Sequence, residues 1–191
     1  MRRRSFLPLL AGLFVAASMP PWGWWPLGFA GIAMYGSVAV RRREQSFSTG
    51  FLFAAAWFLP SMAWMWFLTA PGYIAAILIF CMMHGTASFL AAQLSTTTST
   101  HRTALIICHS LAEVLRLSFP FGGVPLATLA IGQISGPLAD LAPLMGVIGI
   151  STATLYLAVT HHRFRALCIV GFLVLLGNTW DTTHPTGRTL N

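Results

Sequence analysis

Glu113-Val-Leu-Arg116-Leu-Ser-Phe-Pro-Phe-Gly-Gly-Val-Pro-Leu-Ala-Thr-Leu-Ala-Ile-Gly-Gln133 is an island of charge, proline and glycine in an apolar chain. Glu113 is one of only two glutamates in 191 residues, and an arginine follows three positions later. Ionisable groups and irregular backbone are costly at membrane depth, so together they mark a site or a buried structural joint. That inference depends on the medium around the island, which the composition decides.

Hydrophobic residues make up 56% of the chain and charged residues 8%. A soluble domain carries roughly 25% charged residues, so this chain has too few to cover a water-facing surface. The expected fold class is all-α: a polytopic bundle of membrane helices. A spanning helix needs about 20 apolar residues. Seven runs are read as spans: Phe6–Met19, Trp24–Val40, Gly50–Ala70, Gly72–Leu94, Thr103–Leu117, Gly136–Thr160 and Ala166–Asn178. Pro60 is expected to kink the third. Ser95-Thr-Thr-Thr-Ser-Thr100 reads as a solvated connector.

The arginines give these spans an orientation. With the N-terminus in the cytoplasm and alternating crossings, Arg2, Arg3, Arg4, Arg41, Arg42, Arg43, Arg102, Arg163 and Arg165 all fall inside. Only Arg116 and Arg188 fall outside. This is the positive-inside pattern, and it places the C-terminus outside the cytoplasm. The first run also fits a signal peptide, with Arg2-Arg3-Arg4 ahead of it and Ala16-Ala17-Ser18 at its end. Pro20-Pro21-Trp22-Gly23-Trp24-Trp25 leads straight into a second span, so the favoured reading is a tight N-terminal hairpin with an aromatic tip. The predicted division is a transmembrane domain over 1–179 and an extracytoplasmic tail over 180–191.

The formal net charge of +7 does not form a basic stripe with interleaved aromatics, so nucleic acid is not an expected partner. Anionic lipid headgroups are. All eleven basic residues are arginine, which excludes any mechanism that needs a lysine of this segment. Cys81, Cys108 and Cys168 lie inside apolar runs and read as packing residues. Cys81-Met82-Met83-His84 and Cys108-His109 match no metal motif, and the expectation is a packed core with hydrogen-bonded histidines. Ser88 and Ser151 follow glycines without an evident helix-borne histidine, so neither is expected to be a nucleophile. No catalytic residue, metal or cofactor is expected.

Within the island, Glu113 and Arg116 lie on one helix face and can pair. The pair either positions a lipid headgroup or locks the helix to the Phe119–Pro125 turn. Glycines permit close backbone approach and prolines fix φ. Gln133 is suited to satisfying exposed carbonyls or contacting a ligand ester. The candidate lipid- or substrate-rim residues are Glu113, Arg116, Phe121, Gly122, Gly123, Pro125 and Gln133.

The order of residues is more specific than their composition. Ala112-Glu113-Val-Leu-Arg116, Phe119-Pro-Phe-Gly-Gly-Val-Pro125, Leu129-Ala130, Gln133, Gly136-Pro-Leu138, Leu141-Ala-Pro143 and Gly146 together resemble the membrane domain of the apolipoprotein N-acyltransferase family. Pro20-Pro21-Trp22-Gly23 and Trp25-Pro26-Leu27 are similar to that family's N-terminal hairpin, and Trp57 fits its third span. Leu126 departs from the pattern, since a tryptophan commonly follows the proline there. The resemblance implies a multi-pass protein of the bacterial plasma membrane. It also implies an enzyme that moves an acyl chain from phospholipid to the N-terminal cysteine of a lipoprotein. In the family a glutamate, a lysine and a cysteine of an extracytoplasmic nitrilase-like domain carry that chemistry. Pro185-Thr-Gly-Arg-Thr-Leu-Asn191 looks like the lead-in to that domain. The 191 residues by themselves are therefore expected to be inactive. Phospholipid is the expected partner, with a lipoprotein substrate or a separate catalytic chain as further partners. The alternative reading is a non-catalytic scaffold for a partner such as a polyprenol-phosphate mannose synthase.

Overall fold

The computed structural model describes residues 2–119, 123 and 125–160. Among these it is all-helical, with six α-helices and four short 3₁₀ turns. The helices are α1 (Arg2–Ser18), α2 (Trp25–Arg41), α3 (Ser46–Ser61), α4 (Ala70–Gln93), α5 (Thr98–Arg116) and α6 (Ala142–Val159). The expected seventh run, Ala166–Asn178, and the tail after it lie outside the described residues. Seven membrane helices are therefore not established. Among the described residues two segments, Ala70–Gln93 and Ala139–Val159, are long and apolar enough to cross a membrane on their own.

Helix ends differ most from the sequence reading at three places, each for a local reason. The third run stops at Ser61 instead of continuing to Ala70, because Pro60 withholds a backbone donor there. The proline thus ends α3 instead of kinking it, and Ala63–Phe67 follows as a 3₁₀ turn. The fifth helix starts at Thr98, inside the supposed connector. Thr97 and Thr100 exchange side-chain-to-backbone hydrogen bonds, a capping box that satisfies the first amides of α5. The sixth run is irregular through Leu141, and α6 proper opens at Ala142 with Pro143 in its first turn.

α1 and α2 form the expected tight hairpin. The amide of Gly23 donates to the Met19 carbonyl at 3.0 Å, and that of Trp24 to Ala17 at 3.1 Å. Trp22 and Trp24 stand exposed at its tip. Packing between neighbours then closes a ring in the order α1–α2–α6–α5–α4–α3 and back to α1, with α2 also touching α3 and α5. Small residues set these approaches, as in helix pairs that lack a strong hydrophobic drive. At Gly50, for example, a Cβ would lie 2.7 Å from the His84 carbonyl oxygen, so α3 and α4 meet backbone to backbone. The interior is filled by Tyr35, Phe53, Trp57, Phe58, Phe80, Met62 and Leu105. One helix of the ring is interrupted: Gly146 in α6 has φ 61° and ψ −175°, a conformation that suits a residue without Cβ.

Candidate functional site

The last turn of α5 carries Glu113 and Arg116, and both side chains point into the ring. Their relative exposures are 1% and 0%, so neither stands at an outer surface. Arg116 Nη1 donates to Glu113 Oε1 at 2.5 Å, the pairing their spacing predicts. Arg116 Nη2 donates to the carbonyl of Leu126, which pins the returning loop. The guanidinium lies over the rings of Phe80 (4.4 Å), Phe58 (4.5 Å) and Trp57 (5.8 Å). Such cation–π contacts contribute roughly 2 kcal/mol when desolvated. The second carboxylate oxygen of Glu113 accepts from the Leu129 amide (3.4 Å) and the Ser151 hydroxyl (3.3 Å). Ser151 in turn accepts from the Ala130 amide at 3.2 Å. One ion pair thus ties α3, α4, α5, α6 and the 126–130 loop together.

A polar thread continues inward from this pair. His84 Nε2 lies 3.8 Å from Glu113 Oε1. His84 Nδ1 and His109 Nδ1 are hydrogen-bonded at 2.9 Å, so one donates and the other accepts. His109 Nε2 meets the Tyr35 hydroxyl at 2.8 Å, and that hydroxyl meets Ser88 Oγ at 2.5 Å. Ser88 donates to the His84 carbonyl at 2.8 Å, which closes the thread on itself. Tyr35, His84, Ser88 and His109 are all buried. The expected hydrogen-bonded core histidines are present, and each uses a ring nitrogen on the other.

One expectation is overturned here. Ser88 does have a helix-borne histidine, with His109 Nε2 at 3.3 Å. The pair has no accessible face, because Ser88 is 0% exposed and its hydroxyl is held by Tyr35 and the His84 carbonyl. A nucleophile needs room for a substrate atom beside it, so the contact is a core hydrogen bond.

The other rim candidates separate by depth. Gln133 is 1% exposed, on the 3₁₀ turn Ile131–Gln133, and its amide donates to the Trp25 carbonyl at 3.5 Å. It therefore satisfies a carbonyl at the start of α2. Gly123 has φ 99° and packs so tightly that a Cβ would meet the backbone of Leu117. Pro125 is exposed. Phe121 and Gly122 lie outside the described residues. Glu113, Arg116 and Gln133 are thus fastenings beneath the loop, while Gly123 and Pro125 belong to the loop itself.

Tyr35 and Ser151 were not singled out as partners by sequence, because they come from helices far along the chain. The faint signal was their type: a tyrosine and a serine inside apolar runs need hydrogen-bond partners once buried.

Two comparisons with known proteins bear on this arrangement. Residues 11–160 match the family model described as the apolipoprotein N-acyltransferase N-terminal domain. The chain is also similar to the apolipoprotein N-acyltransferase of Coxiella burnetii, at 27% identity over 193 residues. That match covers 90% of this chain and 40% of the relative, so the chain spans well under half of that protein's length. Since the matched domain takes in all of α2 to α6, the buried pair and the loop it holds, the chain belongs to the apolipoprotein N-acyltransferase N-terminal domain family.

Proposed function

We propose that this chain is the membrane platform of a phospholipid-to-lipoprotein N-acyl transfer system. The observation that carries the reading is the domain match over residues 11–160. The helical ring supplies the support, and the loop from Leu117 to Gln133 forms part of its outer rim. Glu113, Arg116 and Gln133 shape that rim from below. Gly123 and Pro125 supply its lipid-facing surface. The ring is multi-pass in a bacterial plasma membrane, with the N-terminus in the cytoplasm. Exposed Trp22, Trp24, Trp64 and Trp66 support this, because such residues gather at membrane interfaces.

The acyl transfer itself requires groups that these 191 residues lack. A thiolate nucleophile, a proton-handling carboxylate and an oxyanion-stabilising cation must meet outside the hydrocarbon layer. The segment has no lysine, and two of its cysteines, Cys81 and Cys108, are buried. The 191 residues alone are therefore inactive in this reading. The test uses vesicles that contain phospholipid and a diacylated lipopeptide. The segment alone should leave the lipopeptide unchanged, and N-acylation by it would overturn the assignment. Reporter fusions after Arg43, Thr69, Thr96 and Ser135 should alternate inside, outside, inside, outside. Any two consecutive fusions on the same side would break the crossing pattern.

A further inference from the structure

The arginines between α2 and α3 are not equivalent. Arg43 is committed: its Nε (3.0 Å) and Nη2 (2.5 Å) both donate to the Ala92 carbonyl in the last turn of α4. The Arg42 amide caps α2 by donating to the Val38 and Ala39 carbonyls, but the side chains of Arg41 and Arg42 make no hydrogen bond, ion pair or ring contact with any described residue. They line a cavity of about 560 Å³ with Arg43, Glu44 and Gln45. Glu44 lies in the same wall but pairs with none of the three. The site therefore keeps a cationic balance, with a carboxylate and an amide at its edge.

Its neighbours are apolar and exposed. Phe47, the second residue of α3, is 38% exposed. Leu94, two residues past the carbonyl that anchors Arg43, is 74% exposed. A ligand for this corner thus needs an anionic group beside an apolar body. A guanidinium suits a phosphate better than an ammonium does, because its planar fork can donate two parallel hydrogen bonds. Glu44 disfavours a second negative charge close by, which favours a singly charged phosphodiester over a phosphate dianion.

We propose that Arg41 and Arg42, steadied by the Arg43–Ala92 tie, form a binding site for the headgroup of an anionic phospholipid. This proposal rests on the membrane reading above. The site lies at the opposite end of the apolar helices from the Glu113–Arg116 junction. It gives the bundle a lipid contact separate from the rim, with a preference for phosphatidylglycerol-type lipids over zwitterionic ones.

The test places the chain in phosphatidylcholine bilayers with spin-labelled phosphatidylglycerol or spin-labelled phosphatidylcholine. Electron paramagnetic resonance then gives the protein-bound fraction of each. The expected result is a several-fold preference for phosphatidylglycerol. The two guanidinium charges carry that preference, so Arg41→Gln/Arg42→Gln should lose most of it. Arg41→Lys/Arg42→Lys keeps the charge and should retain a large part of it, which guards against a folding artefact. No preference in the parent chain, or a full preference in the glutamine variant, overturns the proposal. Displacement by inorganic phosphate at matched ionic strength also overturns it, because the site would then be one for free anions. Chain that is removed from the bilayers by alkaline extraction instead refutes the membrane reading, and that outcome is separately visible.

Discussion

The two ends of α5 hold their charges in opposite ways. At its C-terminal end Arg116 is 0% exposed, paired with Glu113 and covered by three aromatic rings. Near its N-terminal end two arginines are held by carbonyls at helix termini: Arg43 by Ala92 of α4 and Arg102 by Val159 of α6, the latter at 2.9 Å. A cation beside the final carbonyls of a helix is favoured by the helix dipole and remains within reach of water. A cation inside the ring has no such relief and needs a carboxylate. The difference shows why one of only two glutamates lies where it does. It compensates the arginine that is fully enclosed.

Removing half of the enclosed pair should break this contrast most sharply. Arg116→Ala leaves Glu113 buried and uncompensated, with an expected loss of about 3–5 kcal/mol in reversible unfolding. Replacing both with apolar residues, Glu113→Leu with Arg116→Met, should cost far less than the single change. A double variant as unstable as Arg116→Ala would refute the charge-compensation account. Next is Tyr35→Phe, which deprives His109 and Ser88 of a shared partner. About 1–2 kcal/mol is expected from the same measurement. At the other end, Thr97→Ala removes the capping box and should cost about 1 kcal/mol. Arg43→Ala should cost least, about 0.3–1 kcal/mol, and its effect should shrink with added salt. A salt-insensitive loss at Arg43 as large as that at Arg116 would erase the distinction between the ends.

Local chemistry was legible in the sequence to the extent that it was truly local. The i, i+3 spacing gave the Glu113–Arg116 pair, and Pro20-Pro21-Trp22-Gly23 gave the first hairpin. Pro60 was read as a kink because a proline's effect depends on whether helix continues beyond it, and Met62 onward does not. The capping box was hidden because its N3 residue is Thr100, where glutamate or glutamine usually gives the motif away. The long-range partners were out of reach for a different reason. Tyr35 and His109 are 74 positions apart, and the ring order that joins them does not follow chain order. The same holds for depth: a charged pair near a helix end looks alike in sequence whether it faces a rim or the centre of a ring.

The ring order also carries a timetable. α2 is made early, yet one of its neighbours is α6, which is made after α3, α4 and α5. Gly36 on α2 seats against Val159 at the end of α6, where an added Cβ would come within 3.2 Å of it. Domains tend to assemble from the N-terminus as the chain emerges, so this face of α2 stays unfilled until the other five described helices have been synthesised. The Gly36–Val159 contact can close only after the five preceding helices are made, and a chain stalled before α6 would present that open face of α2 to membrane quality control.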